Sequence, residues 1–430
     1  KRDDIEPGAR SRPERAPVPS TGREHARRTV TVALPPADRP GASANVRANP
    51  VTVVIVDDSA VQRRFVRTVV ESDPGLMVVG EARNGRDGVA LVERLRPHVV
   101  LMDLHLPVMN GIEAIERIMA VRPTPILVYS AFVDGDDRDN ASAALAAGAV
   151  DVMEKPGASG PGKLDEDAEA LRRRLRLVGR VKVITHPRAR LGGAGATMST
   201  RRLGSTTTRS AGGTDTSGAT PVAPASLEGL KPRKVRVLAI GASTGGPQAL
   251  ATLLSELPEG LDTAVVVVQH MADGFIEGLA TWLDGMCALP VSVGASGRRL
   301  QPGTVTIAPS GLNLVVHREL RVTTEEPPRS QYHVPGIDVT FASVAEAVGG
   351  DAVGVLLTGM GRDGAVGLKR MRDRGAFTIA QDEASCAVYG MPAAAMAVGA
   401  AERQLALADI GSALRTLILT PGRVEDEVAP

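Results

Sequence analysis

The chain lacks the segments that would place it in or across a membrane. No apolar run reaches the roughly 18 residues that a membrane span needs, and the N-terminal residues lack the apolar segment of a secretory signal. The 2 cysteines, Cys287 and Cys386, stand far apart and in no metal-type spacing. We expect both to be small buried apolar residues in a reducing compartment. These absences predict a cytoplasmic protein.

The chain also lacks an excess of either charge. It carries 50 Lys and Arg residues against 49 Asp and Glu residues, a net charge of +1. A balance of this kind gives no long-range field that would draw the whole molecule to nucleic acid or to a membrane. No basic recognition helix stands out in the second half of the chain, so we expect no nucleic-acid partner.

The length of 430 residues exceeds one ordinary core, and we predict two domains. Residues 1–50 are rich in Arg, Pro, Ala and Gly without an apolar period, which predicts a disordered tail. Residues 179–233 contain GGAGATMSTRRLGSTTTRSAGGTDTSGATP, which predicts a flexible linker. The domains are therefore expected at 51–178 and 234–418, followed by a short tail at 419–430.

Short β-branched runs alternate with helical patterns in both domains. The first domain contains VTVVIV, MVVGEA, VVLM, PILVYS and DVMEK, each followed by a helical pattern. We expect its helices to begin near Ala60, Gly88, Gly111, Arg138 and Leu164. This alternation predicts an α/β fold of the (βα)5 type with a parallel sheet covered on both faces. The second domain contains VRVLAIG, TAVVVVQ, VTIAP, LNLVV, DAVGVLL and FTIA, which predict another parallel α/β sheet, with an antiparallel hairpin around Ser310 and Gly311.

Polar residues of the first domain stand where its predicted strands end. Asp57 and Asp58 follow the first strand, Asp103 follows the third, Ser130 ends the fourth, and Lys155 ends the fifth. The carboxyl ends of parallel strands meet at one edge, and three carboxylates meeting there suit Mg²⁺. Asp103 would then be a nucleophile toward phosphate, with Ser130 and Lys155 in contact with phosphoryl oxygens. The alternative, that each acid only caps a helix, needs five residues to follow strand order by coincidence.

This pattern resembles the response-regulator receiver family over the whole first domain. The resemblance is carried by DD after strand one, DLHLPVMNG at strand three, a serine after strand four and KP after strand five. It implies phosphorylation of Asp103 by a partner histidine kinase. It also implies Mg²⁺ bound by Asp103, by the backbone carbonyl of His105 and by Asp57 or Asp58. Val152 stands where that family often has an aromatic side chain that rotates on activation.

A serine between glycines follows the first strand of the second domain. The sequence GASTGG, residues 241–246, allows a sharp turn from strand to helix that exposes the hydroxyl of Ser243. Amides at the start of the helix are available to an oxyanion. The alternative, a phosphate-binding glycine loop, lacks a following Lys-Ser/Thr pair, and no acid stands about 20 residues further on to bind a ribose. We therefore predict a nucleophilic serine.

A serine nucleophile needs a base, and His270 is the best candidate. It directly follows the buried strand TAVVVVQ and should reach the same sheet edge as Ser243. His317 and His333 lie beside loops and polar segments instead. The alternative for His270 is a hydrogen-bonded structural histidine.

The acid that orients this histidine is predicted to be Asp363, in a glycine-rich loop after DAVGVLL. The alternative candidates for this acid are Asp338, Asp351 and Asp382. Asp351 stands at the wrong end of its strand, and the other two are expected in extended segments. The order serine, histidine, aspartate differs from that of the α/β-hydrolases, so GxSxG here does not predict that fold.

The second domain resembles the catalytic domain of the chemotaxis protein-glutamate methylesterase (CheB) family. The matching motifs are GASTGG, VQHM, LLTGMGRDGA and QDEASCAVYGMPAAA, and that family also carries a receiver and a linker. By position, the resemblance makes Ser243 the nucleophile, His270 the base and Asp363 its orienting acid. It places the oxyanion hole at Thr244 and Met360.

The resemblance implies a phosphorylation-regulated hydrolase that acts in chemotaxis adaptation. Its substrates would be glutamate methyl esters, and glutamines, on methyl-accepting receptors, which are its only link to a membrane. Mg²⁺ would serve phosphorylation, and hydrolysis would need no cofactor. We expect the unphosphorylated first domain to cover the hydrolase cleft. Two alternatives stay open: a receiver-controlled binding module without hydrolysis, and a methylesterase of a non-flagellar chemosensory pathway.

Overall fold

The structure is a computed structural model that describes residues 49–131, 135–156, 161–181 and 227–418. The predicted tail 419–430 lies outside the described residues, as does nearly all of the predicted tail 1–50. Most of the predicted linker 179–233 also lies outside them. The two α/β domains fall almost entirely within the described ranges.

The first domain forms one parallel sheet from buried, β-branched strands. These are β1 (Val51–Val56), β2 (Leu76–Ala82), β3 (Val99–Met102), β4 (Ile126–Ser130) and β5 (Asp151–Glu154). They pair in the order β2-β1-β3-β4-β5, and every pair is parallel. β3 and β4 are buried along their whole length, as interior strands covered on both faces should be. The predicted (βα)5 sheet is confirmed.

Helices connect and cover these strands. They are α1 (Ala60–Glu71), α2 (Gly85–Leu95), α3 (Gly111–Val121), α4 (Gly135–Ala146) and α5 (Pro161–Val178). Ser59, Asn84 and Asn110 cap the first three, each accepting a hydrogen bond from an amide of the first turn. Because Asn84 supplies its cap, α2 begins at Gly85, earlier than the expected Gly88. α4 and α5 also begin earlier than expected.

The second domain contains a longer parallel sheet. Its strands are β6 (Val237–Ala242), β7 (Ala264–Gln269), β8 (Val291–Val293), β9 (Val305–Ile307), β10 (Asn313–Val316), β11 (Val322–Glu325), β12 (Ala352–Leu356), β13 (Phe377–Gln381) and β14 (Arg403–Leu405). Seven of them pair in parallel in the order β14-β13-β12-β6-β7-β9-β8. The chain runs outward from β6 on one side through β7, and on the other through β12. Crevices at such reversals of strand order are where open α/β sheets bind ligands.

The antiparallel hairpin is present, but at another position than predicted. The segment at Ser310 and Gly311 joins β9, which belongs to the parallel sheet, to β10. The antiparallel partner of β10 is β11, across a turn at Arg318–Leu320. That turn contains no glycine, asparagine or proline, so the sequence carries none of the usual hairpin signals there.

Helices cover both faces of the longer sheet. They are α6 (Gly246–Leu254), α7 (Ile276–Asp284), α8 (Ile337–Val348), α9 (Ala365–Asp373), α10 (Met391–Ala397) and α11 (Leu407–Ile418). Alternate residues of β6 enter opposite cores: Leu238 and Ile240 pack with α6 and α11, whereas Val237 and Ala239 pack with α8. Among the described helices, none has the length and apolar character required to cross a membrane.

Candidate active site and phosphoryl-acceptor site

The carboxyl edge of the first sheet brings together all five residues predicted there. One ligand oxygen each from Asp57, Asp58 and Asp103 lies within 4.8 Å of the others. The Lys155 ammonium lies 2.6 Å from a carboxylate oxygen of Asp57 and 2.6 Å from one of Asp103. The Ser130 hydroxyl donates to the other Asp103 oxygen at 2.7 Å. Adjacent parallel strands explain this convergence, because each side chain stands at or just beyond the end of its strand.

The charge at this edge suits a divalent cation. Burial alone would lower the pKa of Lys155, but hydrogen bonds to Asp103 and Asp57, together with their charges, raise it. The ammonium therefore stays charged, and three carboxylates against one ammonium leave two negative charges in excess. Mg²⁺ prefers oxygen ligands such as carboxylates. The excess negative charge of this site therefore suits it.

The loop after β3 is held tightly against Asp103. A Cβ atom added to Gly111 would lie 2.2 Å from the backbone oxygen of Asp103, so no side chain fits there. Met109 donates its amide to the Pro107 carbonyl at 2.8 Å, which closes a γ-turn around Val108. Val108 has a φ of 71°, a region that a β-branched residue enters only under strain. The loop thus stores strain beside the acidic cluster.

Ser243 stands on a turn that only glycines permit. Its amide donates to the Thr358 carbonyl at 3.0 Å, and its carbonyl accepts the Gln269 side-chain amide at 2.9 Å. Gly245 has a φ of 76°, and a Cβ there would lie 2.4 Å from the Ala387 side chain. A Cβ on Gly359 would lie 2.7 Å from the Cβ of Ser243. The glycines of two separate motifs therefore fix the serine by close backbone approach.

His270 and Asp363 meet beside this turn. β6, β7 and β12 are neighbours, so the residues that follow them reach one edge. His270 Nε2 lies 2.8 Å from an oxygen of Asp363, and the backbone amide of His270 donates to Ala242 at 3.0 Å. His270 Nδ1 is buried and has no hydrogen-bond partner among the described residues. An Nε2–H that donates to Asp363 leaves Nδ1 as the free acceptor.

Asp363 is the most heavily hydrogen-bonded member of the group. Besides His270, it accepts amide hydrogen bonds from Ile337 at 2.8 Å, from Asp338 at 3.0 Å and from Gly364 at 3.0 Å. Burial alone would raise the pKa of Asp363, but the hydrogen bond to His270, the His270 charge and the amides of Asp338 and Ile337 lower it. Asp363 is thus held as a carboxylate at the start of α8, where the helix dipole favours a negative charge.

Three groups of the predicted site have no hydrogen-bond partner among the described residues: the Ser243 hydroxyl and the backbone amides of Thr244 and Met360. Within the described part of the chain, Ser243 Oγ has no hydrogen bond to His270 or to any other group. The backbone amides of Thr244 and Met360 likewise donate to no described partner. Catalytic hydrogen bonds that form only when substrate is bound are common in active sites.

The three competing aspartates have other partners. Asp351 lies 3.8 Å from Lys234, and Asp382 accepts the Ser385 amide at 3.0 Å. Asp338 lies in the first turn of α8 rather than in an extended segment, and it contacts Asp363. Burial and the nearby Asp363 charge raise the pKa of Asp338 to about 6. The expectation of an extended segment at Asp338 was therefore wrong.

Two residues of the site were missed from the sequence. Gln269 donates its side-chain amide to the carbonyls of both Ser243 and His270, at 2.9 and 2.8 Å. A polar residue at the end of an apolar strand is the signal that could have found it. The ring of His333 stacks on that of His270, with centroids 4.7 Å apart and planes 8° from parallel. His333 gave no such signal because it lies far from His270 along the chain.

The first domain packs against this edge of the second. Phe275 is 3% exposed and belongs to an apolar cluster whose other buried members lie in the first domain. Met271, which follows His270, and Trp282 pack against the same cluster. The loop residues Ala387 and Val388 pack against the other core of the first domain. The residues flanking His270 and the Ser243 turn therefore form the docking surface.

A second docking contact involves α5. Arg173 donates to the Tyr332 hydroxyl at 2.9 Å, and its guanidinium carbon lies 5.9 Å from the centre of the Tyr332 ring. The Gln248 side-chain amide also donates to the Leu145 carbonyl at the end of α4. These polar contacts surround the apolar cluster.

Comparison with known proteins identifies both halves of the chain. The response regulator receiver domain model matches residues 53–164, and the CheB methylesterase model matches residues 238–414. Fold and site thus define a receiver domain linked to an α/β hydrolytic domain. The protein-glutamate methylesterase/protein-glutamine glutaminase 3 of Paramagnetospirillum magneticum is 39% identical over 366 residues, which cover 85% of this chain and 95% of that protein. The chain therefore belongs to the protein-glutamate methylesterase/protein-glutamine glutaminase (CheB) family.

The chain is also similar to a second curated relative and to a solved structure. Protein-glutamate methylesterase/protein-glutamine glutaminase 2 of Anaeromyxobacter dehalogenans is 41% identical over 368 residues, covering 86% of this chain and 97% of the relative. A similar solved structure is that of the Thermotoga maritima CheB methylesterase catalytic domain. It is 33% identical, covers 42% of this chain and 97% of its own, and has a TM-score of 0.40.

Proposed function

We propose that the chain hydrolyses methyl esters of glutamate side chains on chemoreceptors, releasing methanol, under the control of phosphorylation. Glutamine side chains of the same receptors would be deamidated by the same site. The observation that carries the proposal is the 2.8 Å contact from His270 Nε2 to Asp363, which leaves Nδ1 buried, without a hydrogen-bond partner among the described residues, on the same edge as Ser243.

The reaction follows from these groups. Ser243 Oγ attacks the ester carbonyl while His270 Nδ1 takes its proton, and Asp363 stabilises the imidazolium that forms. Collapse of the tetrahedral intermediate breaks the bond to the methoxy group, which leaves as methanol with the proton from His270. Water then attacks the acyl-enzyme carbonyl while His270 takes a proton from it. Collapse of this second intermediate breaks the bond to Ser243 Oγ, which receives that proton from His270, and frees the glutamate side chain as a carboxylic acid that ionises. A glutamine would release ammonia instead.

The oxyanion would be bound by the backbone amides of Thr244 and Met360. The absence of any described acceptor for either amide supports this role. The close approach of Gly359 to Ser243 supports it as well, because it brings the following residue, Met360, near the nucleophile.

In the receiver domain, we propose that Asp103 accepts a phosphoryl group from a chemotaxis histidine kinase. Mg²⁺ would be held by Asp103 and by Asp57 or Asp58, and it would neutralise charge on the transferred group. Ser130 and Lys155 already contact the two oxygens of Asp103, so both are placed to contact a phosphoryl group attached there. Hydrolysis in the second domain needs no cofactor in this proposal.

Docking of the receiver would restrict access to the catalytic edge. The Phe275 cluster and the Arg173–Tyr332 contact support a docked, unphosphorylated state. Phosphorylation of Asp103 would favour release of this contact. We also propose a cytoplasmic location with membrane association only through receptors, and domain limits at 51–178 and 234–418.

The function is tested by methanol release from methylated receptor fragments. We expect Ser243→Ala to abolish release above the uncatalysed rate. Ser292→Ala is the matched control, because Ser292 is exposed on the short edge strand β8 of the same domain. Equal release by wild type and Ser243→Ala would end the proposal, and partner binding without any methanol release would favour a binding module.

A further inference from the structure

His333 contacts the proposed catalytic base face to face. The two rings are 4.7 Å apart between centroids and 8° from parallel. His333 also forms a T-shaped contact with the Tyr332 ring, with centroids 4.9 Å apart and planes at 89°. His333 therefore contacts both the proposed catalytic imidazole and an aromatic neighbour, in a protein with few aromatic residues.

Stacking supplies a restraint that hydrogen bonding alone does not. The bond from His270 Nε2 to Asp363 fixes one edge of the imidazole, but the ring can still tilt about that contact. A flat ring against its face removes this tilt. The direction of Nδ1, the atom that must take the proton from Ser243, is then set by the hydrogen bond and the stacked ring together.

The charge of His333 suits this position. Burial lowers the pKa of His333, and the nearby His270, Arg173 and Arg174 lower it further, whereas only Asp363 raises it. Tyr332 is a further titratable neighbour. His333 is thus neutral at neutral pH. An imidazolium that forms at His270 meets the face of a neutral ring, which attracts a cation, rather than a second positive charge.

We propose that His333 is a positioning residue for His270, fixing the plane of the catalytic imidazole and stabilising its protonated form through an uncharged aromatic face. The inference rests on the proposed catalytic role of His270. It goes further, because it requires a flat and uncharged side chain at position 333 in addition to the three proposed catalytic residues.

The test separates ring shape from side-chain volume. Full-length wild type, His333→Phe, His333→Leu and His333→Ala are compared in two assays: methanol release from methylated receptor fragments, and labelling of Ser243 by a fluorophosphonate, in which the serine oxygen displaces fluoride from phosphorus. Labelling reports the activation of Ser243 without any receptor. His317→Ala is the control, since His317 lies in the hairpin and bonds Thr323.

We expect His333→Phe to label within about threefold of wild type, and His333→Leu and His333→Ala about tenfold more slowly. The acid limb of the kcat/KM profile should move by roughly half a pH unit in the leucine and alanine variants only. His317→Ala should match wild type. Should His333→Ala fail to fold, the comparison of phenylalanine with leucine retains the test.

Equal labelling rates for the leucine and phenylalanine variants would overturn the positioning role. A wild type that stays unlabelled with a small-molecule phosphodonor present would overturn it together with the catalytic role of His270. Normal labelling without methanol release would overturn only the proposed substrate, and leave the positioning role to be decided by the same labelling rates.

Discussion

Removal of the Arg173 side chain should raise basal hydrolysis without changing the phosphorylated rate. Arg173→Ala deletes the hydrogen bond to the Tyr332 hydroxyl and the guanidinium contact with its ring. Tyr332 is 73% exposed, so solvent screens both contacts. Together they stabilise the docked receiver by about 1 kcal/mol. That free energy corresponds to a factor of about 5 in the population of undocked molecules, and in basal rate while that population is small.

The assay is methanol release from methylated receptor fragments, with and without a small-molecule phosphodonor. We expect a basal rate about 5 times that of wild type in Arg173→Ala, and about 2 times in Tyr332→Phe, which keeps the ring but loses the hydroxyl. Arg172→Ala is the control, because Arg172 bonds Glu169 and Ser72 within the receiver.

Two results would refute the reasoning. An unchanged basal rate in Arg173→Ala would show that this contact does not hold the receiver in place. An equal rise in basal and phosphorylated rates would show that Arg173 acts on the chemistry, through Tyr332 and His333, rather than on docking.

Three further predictions concern single side chains. Asp363→Asn should lower kcat roughly 10⁴-fold, because an amide no longer fixes the Nε2–H tautomer, and it should also lower stability, because both carboxylate oxygens accept backbone amides and an NH2 group cannot; methanol release checks the loss of kcat, and near-normal kcat would contradict it. Val108→Asn should raise the free energy of unfolding by about 1 kcal/mol in urea, since asparagine tolerates the φ of 71°; a loss of stability would contradict the strain argument. Asp338, whose pKa is raised to about 6 by burial and by Asp363, contributes stability that is complete below its ordinary pKa and is lost as pH rises through 6. Asp338→Asn should therefore increase Tm over wild type more at pH 8 than at pH 5, and calorimetry showing an equal gain at both would count against it.

The acidic cluster could be predicted from the sequence because strand order alone decides it. Asp57, Asp103 and Lys155 each stand just beyond the end of a strand, and parallel strands bring such positions to one edge. The same reasoning found Ser243 and His270 at neighbouring strands. Local sequence patterns were sufficient to predict site residues that stand at or just beyond the ends of strands.

Features that depend on distant packing were not predicted. β8, β11 and β14 have three or four residues each, too few for a period to appear. Asp338 was expected in an extended segment, because the start of α8 at Ile337 has no side-chain cap to announce it. The contact between His333 and His270 is formed only by the folded chain.

The position of β12 beside β6 has a consequence for the protein during its synthesis. Asp363 follows β12 and is made long after Ser243 and His270, so a growing chain carries the proposed nucleophile and base before it has the acid proposed to orient the histidine. The receiver sheet is complete at Glu154, before any part of the hydrolytic sheet has been made. On the ribosome, the regulatory domain therefore precedes the activity that it controls, and we expect partly made chains that lack Asp363 to be inactive.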